Sequence, residues 1–417
     1  MLQWGLINLI KYFTLKLIKY LYSIAYNFKL CNNYLMTGSS NCWRLCPYKS
    51  IKYGLGLLLG ISIHAAQCQS VNFTGSPRWV LGTEKQKSAS IGYGDIDQDG
   101  DIDILVANGR HWPGRNKVYF NNGLGIFTVS KSLGYESTTS YATVLGDIDG
   151  DGDLDVVVGN DMAPNHIFKN DGKGHFIKGN DFGETYAPTR NLVLSDIDKD
   201  GDLDILITNR GSQNEICLNN GQGQFNESLS FGTADDSTID IKVADMDGDG
   251  DRDLILANRD AQQNYIYLND GNLNFDQKVA FGSGEDHTRS IAIIDINGDE
   301  YLDIVTANIK GPNVIYFGNS TLNYEQTSVF DSQLDKSYAI ALGDLDGDKD
   351  VDIVIANHGV PNTYFINQKQ GTLWKKYALS AEAYHTYDIV LSDLNGDGRL
   401  DIIESNSDEQ NLYYFNQ

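Results

Sequence analysis

From residue 70 onward the chain repeats one order of apolar and polar stretches. A short apolar run such as Ala142–Gly146 or Ser290–Ile294 leads into an acidic nonapeptide. A β-rich run follows it, as in Ile102–Ala107 and Leu203–Thr208, and after a polar turn comes a third run, as in Lys117–Phe120 and Tyr265–Leu268. Next stands a glycine-rich turn such as Asn121–Gly125 or Asn219–Gly223, whose Asn-Gly chemistry supplies the positive φ of a tight hairpin. A fourth strand is expected to open at the aromatic Phe127, Phe176, Phe225, Phe275 or Tyr324. The pattern predicts four short strands per unit.

The acidic nonapeptides begin at Asp95, Asp147, Asp196, Asp245, Asp295, Asp344 and Asp393, so the steps are 52, 49, 49, 50, 49 and 49 residues. Self-similarity at about fifty residues is the mark of a repeat architecture. Seven units of four strands predict an all-β fold, a seven-bladed β-propeller of four-stranded antiparallel blades. The last unit runs out at Asn416-Gln417, where its hairpin should begin, while Val71–Leu81 reads as a fourth strand without a unit of its own. The expectation is that this N-terminal strand completes the last blade, which would remove the open sheet edges that invite aggregation.

Charge and cysteine usage refine the picture. The formal charge is −24, but the aspartates of the seven loops account for 31 of the 56 acidic residues, so the acidity is mostly local. One divalent cation per loop would bring the charge to −10. No basic stripe suits phosphate contacts, so nucleic acid is not an expected partner. Four of the five cysteines lie in the first 68 residues, so no disulfide framework is implied, and Cys42 and Cys46 have no partner pair for a metal. Lys49–Cys68 shows the charged, apolar and small-residue order of a signal peptide, with cleavage expected near Ala66 and Met36 as its start. Its apolar core of about eleven residues is short of the roughly 20 needed to span a bilayer as a helix. The domain reading is a leader over 1–67, with the signal peptide at 36–66, and one propeller over 68–417. The mature chain is expected to be secreted, periplasmic or at the cell surface, without a stable membrane span.

The loops carry calcium chemistry. Ca²⁺ prefers six to eight hard oxygen ligands, and alternate aspartates can turn several carboxylates around one ion. The candidate positions are Asp95, Asp97, Asp99, Asp101 and Asp103 in the first loop and Asp147, Asp149, Asp151, Asp153 and Asp155 in the second. The third has Asp196, Asp198, Asp200, Asp202 and Asp204, and the fourth Asp245, Asp247, Asp249, Asp251 and Asp253. The fifth has Asp295, Asn297, Asp299, Tyr301 and Asp303, and the sixth Asp344, Asp346, Asp348, Asp350 and Asp352. The seventh has Asp393, Asn395, Asp397, Arg399 and Asp401. Position seven, which includes Tyr301 and Arg399, is read as a backbone carbonyl ligand. Loops five to seven are expected to bind more weakly, because Asn297 and Asn395 remove charge and Glu300 and Lys349 replace the glycine of a sharp turn. On these loops and the strand pattern around them, the chain resembles the FG-GAP/VCBS repeat family, over about 345 residues. The resemblance implies an integrin-α-like calcium-binding propeller, and leaves activity open.

Recognition is expected on the face opposite the acidic loops, where the turns between second and third strands and the links between units should gather. The candidates there are Arg110, Trp112, Tyr141, Arg190, Arg210, Arg259, Arg289, Tyr338, His358 and Tyr387. Aromatic rings cover apolar sugar faces and Arg pairs with carboxylates or sulfates, so a glycan or other surface ligand is the expected partner. The Asn and Ser/Thr residues that recur at the same place in every unit are read as structural. A polysaccharide lyase using a Tyr or His base on this face is the alternative, and a purely structural surface protein the third. No nucleophile elbow, P-loop or His-Glu metal motif supports catalysis, so the binding reading is preferred.

Overall fold

The computed structural model describes residues 71–75 and 78–417; the expected leader, with Cys42, Cys46 and Cys68, lies outside them. The described residues form strands and turns and no helix. The first unit contains β1 (Phe73–Thr74), β2 (Val80–Gly94), β3 (Asp103–Asn108), β4 (Lys117–Phe120) and β5 (Val129–Ser132). The second holds β6 (Ser140–Gly146), β7 (Asp155–Asn160), β8 (Asn165–Lys169) and β9 (Ile177–Phe182), and the third β10 (Thr189–Ser195), β11 (Asp204–Asn209), β12 (Asn214–Leu218) and β13 (Glu227–Phe231). The fourth has β14 (Thr238–Ala244), β15 (Asp253–Asn258), β16 (Asn264–Leu268) and β17 (Gln277–Phe281). The fifth has β18 (Thr288–Ile294), β19 (Asp303–Asn308), β20 (Asn313–Tyr316) and β21 (Thr327–Asp331). The sixth has β22 (Ser337–Gly343), β23 (Asp352–Asn357), β24 (Thr363–Asn367) and β25 (Trp374–Ala378), and the last β26 (Thr386–Ser392) and β27 (Asp401–Asn416).

Units two to six are each a separate four-stranded antiparallel sheet in chain order, and the first and last units join in one seven-stranded sheet. The second strands, rich in Ile, Leu and Val, are buried along their whole length. They are covered because every core is shared by two neighbouring units: Ile96, Leu105 and Val118 of the first pack against Val156, Val158 and Phe168 of the second. Each such side chain contributes roughly 1.5–3 kcal/mol by leaving water, a gain available only when sheet lies on sheet. The first strands stand side by side in the order β2, β6, β10, β14, β18, β22, β26, with β26 again beside β2. Repeated antiparallel sheets on these terms are a propeller of six or more blades.

Two expectations need adjustment. The fourth strands open one to three residues after the aromatics, at Val129, Ile177, Glu227, Gln277 and Thr327. The aromatic serves as a plug toward the preceding unit, as Phe127 does edge-on to Tyr413 at 5.3 Å. The N-terminal strand does pair with the last unit, but in two pieces. Phe73 and Thr74 face Asn416 and Phe415, then Val80 and Leu81 face Leu412 and Asn411 after a slip of three residues, and β2 continues unbroken into the first unit.

A relay of buried side chains links the units on one rim. Asn116 donates to Ser140 Oγ at 2.9 Å, Ser140 to Asn160 Oδ1 at 2.8 Å, and the Asn160 backbone N–H to Asn165 Oδ1 at 2.7 Å. Most steps recur around the array, and Asn411 Nδ2 donates to Ser88 Oγ at 3.1 Å, joining last unit to first. The recurring Asn and Ser/Thr residues are thus structural, as their regular spacing suggests.

One buried position breaks the apolar pattern. Glu404 stands where the other units carry Val106, Val158, Ile207, Leu256, Thr306 and Ile355, and it accepts hydrogen bonds from Asn362, Asn406 and Tyr414. Burial pushes its carboxyl from 4.5 up to about 7. Between those values the folded chain holds a proton that the unfolded chain has released, so this group's contribution to stability falls as pH rises, by up to about 3 kcal/mol. In denaturant titrations, Glu404→Gln should flatten the stability profile between pH 4.5 and 7 relative to the parent. Phe73 packs edge-on against Tyr364 at 5.1 Å and is half-buried. Phe73→Ala should lower stability by about 2 kcal/mol, less than the 3–5 of a fully buried Phe; an unmoved denaturant midpoint would mean that the N-terminal strand adds nothing.

Candidate functional site

The acidic loops join first to second strand at one end of every sheet. Position one organises each loop through backbone N–H groups: Asp95 accepts from Asp99 and Gly100 at 3.0 Å, and Asp393 from Gly396 and Gly398 at 2.8 Å. Position six is left-handed throughout. The glycines there have φ from 82° to 99°, and Glu300 and Lys349 hold φ of 72° and 76°, a conformation that costs a side-chain-bearing residue about 1–2 kcal/mol. Position four is left-handed as well, a feature the sequence reading missed because Gln98 and Lys199 mask it in two loops. Gln98 reaches Asp153 of the next loop at 2.7 Å, and Lys199 pairs with Asp251.

Among the described residues, carboxylate oxygens gather within 4.8 Å of one another in five loops, as Asp95/Asp97/Asp99, Asp147/Asp149/Asp155, Asp196/Asp198/Asp204, Asp245/Asp247/Asp253 and Asp344/Asp346/Asp348. Asp97 Oδ1, Asp149 Oδ1 and Asp196 Oδ1 are buried and unpartnered. Burial, with the charges of Asp99 and Asp95, raises the Asp97 carboxyl above its ordinary value. Buried, mutually repelling, unpaired carboxylate oxygens fit a hard cation. Asp149 also takes the Lys169 ammonium at 2.7 Å. Position-seven side chains turn away, against the hairpin glycines. A Cβ on Gly123, at φ 76°, would stand 2.8 Å from Asp101 Oδ2.

Position nine is fully buried in all seven loops. Its two oxygens are committed to two backbone N–H groups. Asp204 Oδ2 accepts from Ile197 in its own loop at 3.1 Å and Oδ1 from Asn219 at the end of the third strand at 2.8 Å. The same two bonds recur from Asp103 (Ile96, Asn121) to Asp401 (Leu394, Asn416). Burial lifts these carboxyls to about 6 or 7 against the pull of those bonds.

At the other end the strand-two turns meet the links between units, through bridges such as Gly114↔Thr138 and His358↔His385. Every first strand has a register shift there, between the buried Ser/Thr and the residue two further on: Ser140/Ala142, Thr189/Asn191, Thr288/Ser290, Ser337/Ala339, Thr386/Asp388 and their counterparts. The residue inside the bulge is re-aimed. In sequence order these are Ala89, Tyr141, Arg190, Ile239, Arg289, Tyr338 and Tyr387, and all seven line a cavity of about 450 Å³ between the first strands.

Three guanidinium groups lie over tyrosine rings at this mouth: Arg110 over Tyr387 at 3.8 Å, Arg190 over Tyr141 at 4.4 Å and Arg289 over Tyr338 at 5.3 Å. His358 stacks on Tyr338 at 5.2 Å and approaches His385 at 4.4 Å, while His111 bonds the Tyr141 hydroxyl at 2.7 Å. Arg190 is paired with Asp161 at 2.7 Å. Arg289 makes no hydrogen bond or ion pair among the described residues, and burial draws its guanidinium below the usual range. Burial lowers His111 and His358 and pushes Tyr387 up to about 12.

Of the ten residues singled out for this face, Arg110, Arg289, Tyr338, His358 and Tyr387 come together, with Arg190 and Tyr141 across the mouth. Arg210 and Arg259 meet instead at Asp260, at 2.7 and 3.6 Å, and Trp112 is 67% exposed beside His111. The sequence reading missed Asp240, Lys242 and Asp388, which also line the cavity. Asp240 binds Lys242 at 3.0 Å and the Ile291 N–H of the next unit at 2.9 Å; Asp388 takes the Ile91 N–H at 2.8 Å. The signal was there: a carboxylate inside an otherwise apolar strand, as in Thr238-Ile-Asp-Ile.

The FG-GAP-like repeat matches six overlapping stretches, 95–158, 147–207, 196–256, 245–306, 295–355 and 344–404. No curated protein matches the chain. Among solved structures it is similar to BBS1N, crystallised in complex with ARL6DN, at 9% identity and a TM-score of 0.55, covering 84% of this chain and 97% of that one. Raptor of Chaetomium thermophilum gives 10% identity and a TM-score of 0.55, covering 83% of this chain and 30% of that one. At such identities the likeness concerns the fold alone.

The position-nine stitch can be separated from metal binding. With chelator present, Asp204→Asn should cost about 1–3 kcal/mol, because one of the Ile197 and Asn219 N–H groups loses its buried acceptor. Asp202→Asn, at position seven, should stay within about 0.5 kcal/mol of the parent in the same urea titration.

Proposed function

The chain belongs to the FG-GAP-like repeat family, and we propose on that footing that it is a secreted, calcium-stabilised, seven-bladed propeller that binds acidic glycans at the channel mouth. The observation that carries the ligand reading is the set of three Arg–Tyr stacks around a 450 Å³ cavity, with Arg289 in no direct ion pair although the Asp240 charge acts on it from across the cavity. Pockets of roughly 300–1,000 Å³ suit small ligands or single units of a polymer. The tyrosine rings hold the guanidinium groups in place at the mouth, and a half-buried guanidinium favours a carboxylate or sulfate. A Tyr387 hydroxyl raised to about 12 works against a tyrosine general base, so binding is preferred to lyase chemistry.

Seven blades are supported by the seven loops and by β26 lying beside β2, with Phe73–Thr74 and Val80–Leu81 pairing with the last sheet. Calcium is the cation that hard, all-oxygen loops of this register favour, held by positions one, three, five and nine. Loops five and seven lack a third-position carboxylate, and Glu300 and Lys349 strain loops five and six; these three should fill last. Secretion is supported by the signal-like segment at 49–68.

The test is calorimetric binding of polygalacturonate and of neutral dextran to the full chain in millimolar calcium. Polygalacturonate should bind more tightly than dextran, and Arg110→Ala combined with Arg289→Ala should weaken polygalacturonate binding by about tenfold or more, some 1.4 kcal/mol, while leaving any dextran binding unchanged. Equal binding of both polymers, or an unaffected double variant, would overturn the reading.

A further inference from the structure

A second cavity, of about 310 Å³, lies away from the channel, between the first and second units. Its roof is the link from β5 to β6 and its floor the outer half of the second sheet, β8 and β9. Leu133, Phe168 and Phe176 make an apolar wall. Tyr135 stands at the rim, 95% exposed. An aromatic side chain so fully in water beside a cavity gains nothing from the fold.

The opposite wall is a chain of polar groups. His166, 5% exposed, holds Asp181 Oδ1 through Nδ1 at 2.6 Å. A carboxylate can only accept there, so Nδ1 carries the proton and Nε2 offers its lone pair. Lys178 Nζ donates to it at 3.3 Å and to Glu136 Oε2 at 3.2 Å. Two of the three ammonium N–H groups are thus engaged, and the third is left, next to a Glu136 carboxylate that is itself 69% exposed. In the third unit the place of His166 is taken by Glu215, whose carboxylate captures the Glu184 N–H of the link above it at 3.1 Å. His166 turns to its own sheet instead, and the cavity lies between it and the link.

We propose that this cavity is a saccharide subsite taking one neutral pyranose ring, separate from the channel mouth. A donor and an acceptor side by side, Lys178 and Glu136, match two neighbouring ring hydroxyls, each of which both donates and accepts. Their charges cancel, so an ionic ligand gains no net attraction, unlike at the Arg-rich mouth. The apolar face of the ring lies against Phe168, Phe176 and Tyr135, where CH groups leave water against aromatic surface.

The test is saturation-transfer NMR and calorimetry on the full chain with the methyl glycosides of glucose, galactose, mannose and N-acetylglucosamine. At least one should bind saturably, with Kd on the order of millimolar. Tyr135→Ala, at a position too exposed to threaten folding, should weaken it at least about fivefold, and Lys178→Met more strongly. Arg110→Ala with Arg289→Ala should leave it unchanged. If none of the four binds, or Tyr135→Ala has no effect, or the arginine variant abolishes binding, the subsite does not exist. Failure of polygalacturonate to bind concerns the mouth alone.

Discussion

Everything in this fold rests on keeping buried backbone N–H groups supplied with acceptors where strands end. A four-stranded sheet in a repeat array has turns at both ends packed against neighbours, out of reach of water, and an unpaired donor there costs as much as a lost hydrogen bond. The chain meets this with the same two devices, the first of them in every unit and the second in most. On one rim the position-nine aspartate gives both oxygens to two N–H groups, one in the loop and one in the following hairpin. On the other, Asn and Ser/Thr pass hydrogen bonds from unit to unit and from Asn411 back to Ser88. These devices explain why so many polar residues recur with so little variation.

The bulge sets which side chains reach the cavity. The extra residue in each first strand lies outside the ladder register and lines it. There the units differ: Tyr and Arg predominate, with Ala89 and Ile239 as the small and apolar exceptions. The same geometry tolerates buried charge. Asp240 and Asp388 survive between apolar strands because each takes a backbone N–H of the next unit as well as one of its own. Charged groups in the channel therefore also tie neighbouring first strands together.

Much of this was legible in the sequence, and the remainder was hidden for identifiable reasons. The loop register gave the repeat, the strand order and the separation of the two ends, because an aspartate at every second position has one mechanical meaning when it recurs at fifty residues. The candidate ligand face was legible as composition but not as geometry. Arg210 and Arg259 looked equivalent to Arg110 until Asp260, itself left-handed at φ 65°, was found between them. The interrupted N-terminal strand could not be read, since a slip of three residues leaves the apolar pattern almost intact. Position four of the loop was masked because Gln98 and Lys199 adopt a conformation that spacing does not reveal. The His166–Lys178–Glu136 chain was invisible for a plainer reason: its members come from β8, β9 and the link after β5, and only packing brings them together.

If the acidic loops form a cation-binding half of the scaffold and not a solubilising fringe, calcium must both bind and stabilise the fold. The most direct test is to count calcium ions per chain by equilibrium dialysis across a calcium titration while following thermal unfolding of the same samples. Several ions per chain are expected, with the loops at Asp95, Asp147, Asp196 and Asp245 filling no later than those at Asp295, Asp344 and Asp393, and an unfolding temperature that climbs as they fill because only the folded chain holds the sites. A chain that binds no calcium at millimolar concentration, or binds it without any change in unfolding temperature, would contradict it.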